Sequence, residues 1–150
     1  TYPAVYRGIL NFFGDIWTFI RDVVIVNRNA NYNSVYLLKK GVNHADITID
    51  NIQDKCYFIG DQANSNNFIT EFDFRFGPYF IPNKVGTNKK ADYNWIRGNN
   101  GQDTDKAVRV LLPGGVAANG SGAGSGVFHS GWVRSDSDAD VGFFTTVKLD

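Results

Sequence analysis

Three aspartates stand at alternate positions near the end of the chain, where their carboxylates could bind a cation. Asp136, Asp138 and Asp140 match the opening of a D-x-D-x-D-G calcium loop, which also needs Gly at its sixth position and a bidentate Glu at its twelfth. Val141 and Val147 occupy those two positions, and a strand pattern follows instead of a helix. The sequence therefore excludes an EF-hand and favours a solvated edge, with a looser cation site left open as the alternative.

A glycine-rich stretch raises the alternative of a phosphate-binding loop. The segment NGSGAGSGV places glycine at positions 120, 122, 124 and 126. That spacing differs from G-x-G-x-x-G, no helix pattern follows, and the Lys-Ser/Thr pair of a P-loop is missing. The sequence therefore argues against a nucleotide site, and the glycines indicate irregular backbone or close chain packing.

Few residues are available for acid–base or nucleophilic catalysis. His44 and His129 are the only histidines, Glu71 is the only glutamate, and no G-x-S-x-G elbow occurs. A carboxylate pair that hydrolyses glycosidic bonds stays open, without a positive sign in its favour. Cys56 is the only cysteine, which excludes an internal disulfide, and its apolar setting in KCYFIG predicts a small buried side chain. We therefore predict no catalytic residue, no metal site and no cofactor.

Length and composition indicate one folded domain spanning residues 1–150. The residues are 43% hydrophobic and 15% aromatic, which suits a core of Phe, Tyr, Ile and Val. The 15 basic and 15 acidic residues are scattered and cancel, so we expect no nucleic-acid partner. No run of ~18 apolar residues occurs, so we expect no membrane insertion. The absence of an initiator Met suggests the C-terminal part of a longer protein.

The periodicity of apolar residues predicts an α+β fold with one helix and many short antiparallel strands. Residues 6–22, YRGILNFFGDIWTFIRD, place apolar side chains at helical spacing, which predicts an amphipathic N-terminal helix. VVIVN and VYLLKK are predicted to form a hairpin. The other predicted strands are ADITI, CYFIG, FITEFDFRFG with one face of phenylalanines buried, KAVRVLLPGG and the terminal VGFFTTVKL. Irregular structure is expected at DQANSNN, at GPYFIPNKVGTNKKADYNW and through the Gly- and Ser-rich residues 116–140.

A late segment of the chain has the residue types of a recognition surface. Phe128, His129, Trp132 and Arg134 stand among Gly, Ser and Asp. Trp and Arg are typical anchors of binding interfaces. A core position is the alternative for Trp132, but its setting beside Gly131 favours exposure.

The order of six segments along the chain resembles a known family. The segments are YRGILNFFGDIW, GPYFIPNKVG, ADYNW, VRVLLPGG, NGSGAG and DADVGFF. Together they resemble the C-type-lectin-fold variable proteins, which are targets of diversity-generating retroelements in gut bacteria and their phages. The resemblance covers most of the chain and implies a single C-type-lectin-like ligand-binding domain with long irregular loops. Residues 116–118 depart from the Ser-Trp-Asn type of segment that is common in relatives.

The resemblance also implies a mechanism and a set of ligand-binding residues. In that family a retroelement rewrites adenines, so that Asn codons change, and a rigid fold displays the altered side chains to a receptor. Matched by position, the displayed variable face would consist of Ala117, Ala118, Asn119, Ser121, Gly126, Val127, His129, Gly131, Trp132, Arg134 and Asp136.

We therefore predict a non-enzymatic receptor-binding domain. The resemblance implies a protein or glycan receptor on a host or neighbouring cell as its partner, a place at a virion tail or a bacterial cell surface, and compatibility with a homo-oligomer. One alternative is a polysaccharide-degrading or other hydrolytic tail enzyme. A formylglycine-generating type of oxidase would need a cysteine pair, and only Cys56 exists. The remaining alternative is a structural tail-fibre subunit whose predicted face is buried between protomers.

Overall fold

The described part of the chain is built mainly of β-strands. The structure is a computed structural model, and it describes residues 5–6, 9–10, 17–18, 20–75, 80–97, 107–114, 124–133, 135 and 141–142. The elements in chain order are β1 (Val5–Tyr6), β2 (Ile9–Leu10), β3 (Trp17–Thr18), β4 (Ile20–Asn27), β5 (Tyr32–Leu38), a 3-10 turn (His44–Asp46), α1 (Ile52–Lys55), β6 (Cys56–Ala63), β7 (Asn67–Asp73), β8 (Ile81–Gly86), β9 (Tyr93–Trp95), β10 (Val108–Gly114), β11 (Gly124–His129) and β12 (Val141–Gly142).

Eight strands form one sheet that curls until its two ends nearly meet. The strand order is β6-β5-β4-β10-β11-β9-β7-β8, with β1–β2 and β12–β3 as separate two-stranded pairs. All neighbours in the large sheet pair antiparallel except β11 and β9, which are parallel. The two ends approach at Gly60 of β6, where an added Cβ would lie 2.7 Å from Ile81 Cδ1 of β8. A side chain at position 60 would therefore force the Ile81 side chain to shift where the two ends of the sheet approach.

The concave side of the curled sheet encloses the main apolar core. Its members come from strands at both ends and in the middle of the sheet, which is possible only for side chains that point inwards. They are Val23, Ile25, Val35, Ile59, Ile81 and Phe128, all under 8% exposed. Strand β4 is also buried on its other face, where Val24 is fully covered. A continuous β-branched run such as VVIV is typical of a strand buried on both faces.

A ladder of side-chain amides fills one part of the interior. Asn27 Nδ2 donates to Asn33 Oδ1 at 3.1 Å, and Asn33 Nδ2 donates to Gln62 Oε1 at 3.3 Å. Gln62 Nε2 in turn donates to Asn94 Oδ1 at 2.7 Å, and Asn94 Nδ2 donates to the Ala63 carbonyl at 2.8 Å. Asn33, Gln62 and Asn94 have no exposed surface. Because buried amides are costly without partners, this ladder fixes how β4, β5, β6 and β9 align.

The outer face of β4, β5 and β6 is covered by the short connection that precedes β6. Ile47 and Ile52 of this connection pack against Val24, Tyr36 and Leu38. The connection bends because Asn43 Oδ1 accepts a hydrogen bond from the Ala45 N–H at 3.1 Å. Asparagine favours such turns because its side chain bonds to the nearby backbone.

The predicted α+β class with an N-terminal amphipathic helix is wrong. Within residues 6–22, the described positions are strands: Tyr6 of β1, Ile9–Leu10, Trp17–Thr18 and the beginning of β4. Short apolar runs fit helix and strand periodicity equally well, and this one is rich in aromatic and β-branched residues that favour strands. Pairing decided the outcome, because Ile20 lies opposite Leu111 and Trp17 opposite Val141.

Two further element predictions are wrong for identifiable reasons. ADITI is not a strand, because its first residues form the 3-10 turn that Asn43 caps. GPYFIPNKVG is not irregular throughout, because Ile81–Gly86 form β8 in spite of Pro82. Strand β8 stands last in the sheet order and pairs on one side only, and proline is tolerated on such a strand because the missing N–H is not needed.

The predicted burial of one phenylalanine face in FITEFDFRFG is also wrong: Phe68 and Phe72 are half-buried, Phe74 is exposed, and Phe76 lies outside the described residues. The buried residue of β7 is Ile69, at 4% exposed, whereas Phe74 is 62% exposed. Pairing between β7 and β8 shifts register on both sides of Glu71, and each irregularity moves the following side chains relative to the sheet faces. Alternation in the sequence therefore did not translate into alternation in space.

The irregular structure expected through residues 116–140 is wrong at Gly124–His129, which form β11, and the loop expected at DQANSNN is shorter, because β6 extends to Ala63 and β7 begins at Asn67.

The following predictions are confirmed. VVIVN and VYLLKK form the β4–β5 hairpin, with Val24 opposite Tyr36. CYFIG opens β6, and Cys56 is a buried side chain, 4% exposed, whose thiol pKa is raised by burial. KAVRVLLPGG contains β10. Val141–Gly142 of VGFFTTVKL form β12, and residues 143–149 of that predicted strand lie outside the described residues.

Candidate functional site

Four partly exposed aromatic side chains line the outer face of the sheet where β9 and β11 meet. They are Tyr93, Trp95, His129 and Trp132, and we call them the aromatic platform. Val110, Leu112 and Val127 lie beneath them as a buried apolar floor. Large side chains cover the sheet here, whereas the connection that carries Ile47 and Ile52 covers the outer face of β4, β5 and β6.

The rings of the platform follow one another at contact distances. The ring centroids of Tyr93 and Trp95 are 4.5 Å apart with a tilt of 43°. Trp95 and His129 lie side by side on the parallel strands β9 and β11, and their rings are nearly parallel at 19° with centroids 6.2 Å apart. Phe68 of β7 extends the row, edge-on to Tyr93 at 4.9 Å. Aromatic pairs at these spacings hold one another in fixed orientations.

A bulge after β11 positions the last member of the platform. Leu112 lies opposite His129, whereas Arg109 lies opposite Val133, so the second strand carries one more residue between the two pairs than β10 does. The extra residue bends the chain. The chain nevertheless stays beside β10, because the Val110 N–H donates to the Trp132 carbonyl at 3.0 Å. The Ser130 N–H donates to the Trp95 carbonyl at 2.9 Å, which ties the bend to β9. Bulges commonly redirect a side chain in this way.

A glycine at the centre of this bend leaves space for the His129 ring. A Cβ at Gly131 would lie 2.7 Å from His129 Cε1 and 3.3 Å from the backbone nitrogen of Arg97. The Gly131 N–H also donates to His129 Nδ1 at 2.9 Å. That bond places the proton of a neutral imidazole on Nε2.

The platform is uncharged at neutral pH because of where His129 lies. Burial beside Trp95 lowers the pKa of His129 to about 4. The imidazole is therefore neutral near pH 7 and acts as a further flat aromatic ring rather than as a cation.

The structure brings part of the predicted variable face to the platform and moves part of it elsewhere. His129, Gly131 and Trp132 lie together and are partly exposed. Val127 is 2% exposed and belongs to the apolar floor, so its side chain is not displayed. Gly126 lies within β11. The other predicted residues lie outside the described residues, and these are Ala117, Ala118, Asn119, Ser121, Arg134 and Asp136. The three alternating aspartates also lie outside the described residues.

Two members of the platform were missed as site residues. Tyr93 and Trp95 stand in ADYNW, in a stretch for which irregular structure was expected. The alternation of Tyr93, Asn94 and Trp95 was the available signal, because it puts the two rings on one face and the buried amide of Asn94 on the other. A three-residue run is too short to reveal a strand by periodicity alone.

A second group of aromatic side chains lies near the far ends of β7 and β8. Phe72, Phe74 and Phe80 have ring centroids 5.8 to 6.1 Å apart, and Phe74 and Phe80 are more than half exposed. Beside them Arg75 Nε donates to Asp73 Oδ2 at 2.8 Å, and this guanidinium lowers the pKa of the Asp73 carboxyl. The Arg75 side chain is 64% exposed, so solvent screens the pair although the Asp73 side chain is only 9% exposed, and the pair adds little to stability.

Metal ligands do not gather anywhere in the described residues. No three His, Cys, Asp or Glu side chains there come close enough together to hold an ion. In the same residues, no helix has the length and apolar character needed to cross a membrane.

Comparisons with known proteins identify no relative. No family model matches the chain, and no curated protein or solved structure matches it.

Proposed function

We propose that this protein is a non-enzymatic ligand-binding domain whose binding surface is the aromatic platform. The observation that carries the proposal is a row of rings at 4.5 and 6.2 Å, partly exposed and fixed on an apolar floor. Large apolar rings that stay in contact with water typically mark an interaction surface. Tyr and Trp are also the side chains most enriched at binding hot spots.

The construction of the platform suits recognition because its backbone is rigid. Trp95 and His129 stand on paired strands, and Trp132 is held by a main-chain hydrogen bond to β10. Side chains held in one orientation lose little conformational entropy when a ligand binds, which improves affinity. An uncharged aromatic surface favours an apolar partner face, such as an exposed aliphatic patch of a protein or the C–H face of a sugar ring.

The proposal keeps the protein or glycan receptor implied by the resemblance but rests on the platform rather than on a C-type-lectin fold. A receptor on a host or neighbouring cell places the domain at a virion tail or a bacterial surface, and that location is carried by the resemblance alone. If the surface is diversified, positions 129 and 132 can vary more freely than 127 and 131. Position 127 is in the core, and a Cβ at position 131 would press on the His129 ring and the Arg97 backbone.

The proposal is tested by binding to two classes of probe. The purified domain is applied to a glycan microarray and to a phage-displayed peptide library, which represent the two receptor classes. We expect a reproducible ligand in one class, and we expect Trp95→Ala and Trp132→Ala to abolish its binding. Phe74→Ala is the matched control, because it removes an exposed ring outside the platform.

Thermal unfolding of each variant separates lost binding from lost folding. Light scattering on the same samples reports whether the domain forms a homo-oligomer. Full binding by folded Trp95→Ala and Trp132→Ala proteins, or no ligand in either class, would show that the platform is not the binding surface.

A further inference from the structure

A cleft of about 540 Å³ lies on the outer face of β4, β5 and β6. The aromatic platform lies on the same face, over different strands, β9 and β11. Its walls include Tyr36 and Phe58, whose rings are edge-on with centroids 5.7 Å apart. Ser34 and Arg28 line the other end, and Gln53 from α1 reaches in to donate to the Tyr36 hydroxyl at 3.3 Å. We call this the Ser34 cleft. Its volume is within the range of small-molecule sites, about 300 to 1,000 Å³.

The feature that points to a ligand is the hydroxyl of Ser34. Ser34 is 2% exposed, and its Oγ makes no hydrogen bond to any of the described residues. A buried hydroxyl without a partner is costly, and native proteins contain few of them. Val26 lies opposite Ser34 on β4 and lacks a polar group, so the sheet itself provides no partner on that side.

A carboxylate with unused acceptor capacity lies on the strand next to Ser34, adjacent to the residues that line the cleft although not one of them. Asp61 is the partner of Ser34 on β6, so both side chains point to the same face of the sheet. Asp61 Oδ1 is buried and makes no hydrogen bond to the described residues, although Arg28 Nη1 lies 3.9 Å away. A hydroxyl that can donate or accept, next to a carboxylate that accepts, matches neighbouring hydroxyl groups on a ligand.

The charges and the walls of the cleft restrict the chemical class of that ligand. Arg28 and Asp61 carry opposite charges and lie close together, so the site favours neither an anion nor a cation. The aromatic walls favour a ligand with an apolar face, and Gln53 adds an amide that can donate and accept. We propose that the Ser34 cleft binds a neutral saccharide residue, with Tyr36 and Phe58 contacting its C–H face and Ser34 and Asp61 bonding its hydroxyl groups.

This inference goes beyond the proposed function and does not depend on it. The cleft is formed by three strands at one end of the sheet order, whereas the platform lies on β9 and β11 towards the other end. The two sites share no side chain, so either can fail without the other.

The experiment is an NMR titration of the ¹⁵N-labelled protein with four neutral probes, the methyl glycosides of glucose, galactose, mannose and N-acetylglucosamine. Sodium sulfate is the anionic probe. We expect at least one glycoside, and not sulfate, to shift the backbone amides of Ser34, Gln53 and Asp61. Ser34→Ala and Asp61→Asn should each lower the affinity for that glycoside about ten-fold, which is the loss that corresponds to one hydrogen bond.

A stability measurement distinguishes a ligand-binding hydroxyl from a structural one. Ser34→Ala removes a buried hydroxyl that has no protein partner, so its midpoint of thermal unfolding should be equal to or higher than that of the wild type. The matched controls are Ser135→Ala, at an exposed serine, and Glu71→Gln, at an exposed carboxylate. Both should leave the affinity for the glycoside and the midpoint of thermal unfolding unchanged. Gln53→Ala, on the exposed side of α1, is a further variant with little effect on folding and should also weaken the glycoside.

Three results would overturn the proposal. One is the absence of any shift at the cleft with all four glycosides, and another is a response to sulfate alone. The third is a lower midpoint of unfolding for Ser34→Ala, which would assign the hydroxyl to a water-bridged structural role. Trp132→Ala provides the independent comparison, because it should abolish binding at the platform and leave the glycoside titration at the cleft unchanged.

Discussion

Mild acid should destabilise this protein through one side chain, His129. Burial lowers its pKa from 6.5 to about 4 in the folded protein. In the unfolded chain the imidazole regains its ordinary pKa, so below about pH 6.5 the unfolded state binds a proton that the folded state excludes. The free energy of unfolding is therefore unaffected above pH 6.5 and falls as the pH decreases from 6.5 to 4.

The size of this loss follows from the two pKa values. Each pH unit inside the window costs about 1.4 kcal/mol, so the loss is about 2 kcal/mol at pH 5 and about 3 kcal/mol at pH 4. These are upper values, because the partly exposed ring keeps some contact with water. Since a domain is typically stable by only about 5 to 15 kcal/mol, the loss is a large fraction of the total.

Urea unfolding followed by tryptophan fluorescence at pH 7.5, 6, 5 and 4.5 measures the effect. His129→Asn is the reference protein, because asparagine does not titrate and its Oδ1 can still accept the Gly131 N–H. Contributions from His44 and the carboxylates occur in both proteins and cancel in the difference. The reasoning would be refuted if the free energy of unfolding depended on pH in the same way in both proteins. An NMR titration of native His129 with a midpoint near 6.5 would also refute it.

Three further predictions concern the fold. Gly60→Ala should cost about 1 to 3 kcal/mol in urea unfolding, because its Cβ would press on Ile81, and Gly60→Ala/Ile81→Val should recover part of the loss; an unchanged midpoint would contradict this. Phe128→Ala should cost about 3 to 5 kcal/mol and Phe74→Ala less than about 0.5, since only the first ring is buried; similar losses would contradict the assigned core. Gln62→Leu should cost about 2 kcal/mol or more because it leaves two amides of the interior ladder without partners, and a neutral result would disprove that role.

A strand that buries β-branched residues continuously was predictable from the sequence, and β4 is the example. Strands stabilised mainly by their neighbours were not. Strand β11, Gly124–His129, begins with glycines and serine, which disfavour strands, but it lies between β10 and β9 and bonds to both. Because those partners are distant in sequence, no local window contains the information that makes this segment a strand.

The position of individual side chains shows the same limit. Arg109 alternates with Val108 and Val110, a pattern that predicts a solvent-facing charge, yet it has no exposed surface. The sheet curls so far that the inward-facing position opposite Ile25 is enclosed. Trp95 was likewise hidden as a site residue, since its role depends on the parallel pairing that places His129 beside it.

The two candidate sites follow from how the outer face of a curled sheet is covered. Over β4, β5 and β6, the connection with Ile47 and Ile52 shields most of the apolar surface and leaves a cleft at its margin. Over β9 and β11, the described residues that shield the floor are large side chains, whose own faces remain partly exposed. Such rings stabilise the fold with one side and stay available with the other. This explains why Trp95 and Trp132 suit binding better than Phe74, whose ring is mostly exposed and rests on no buried floor among the described residues.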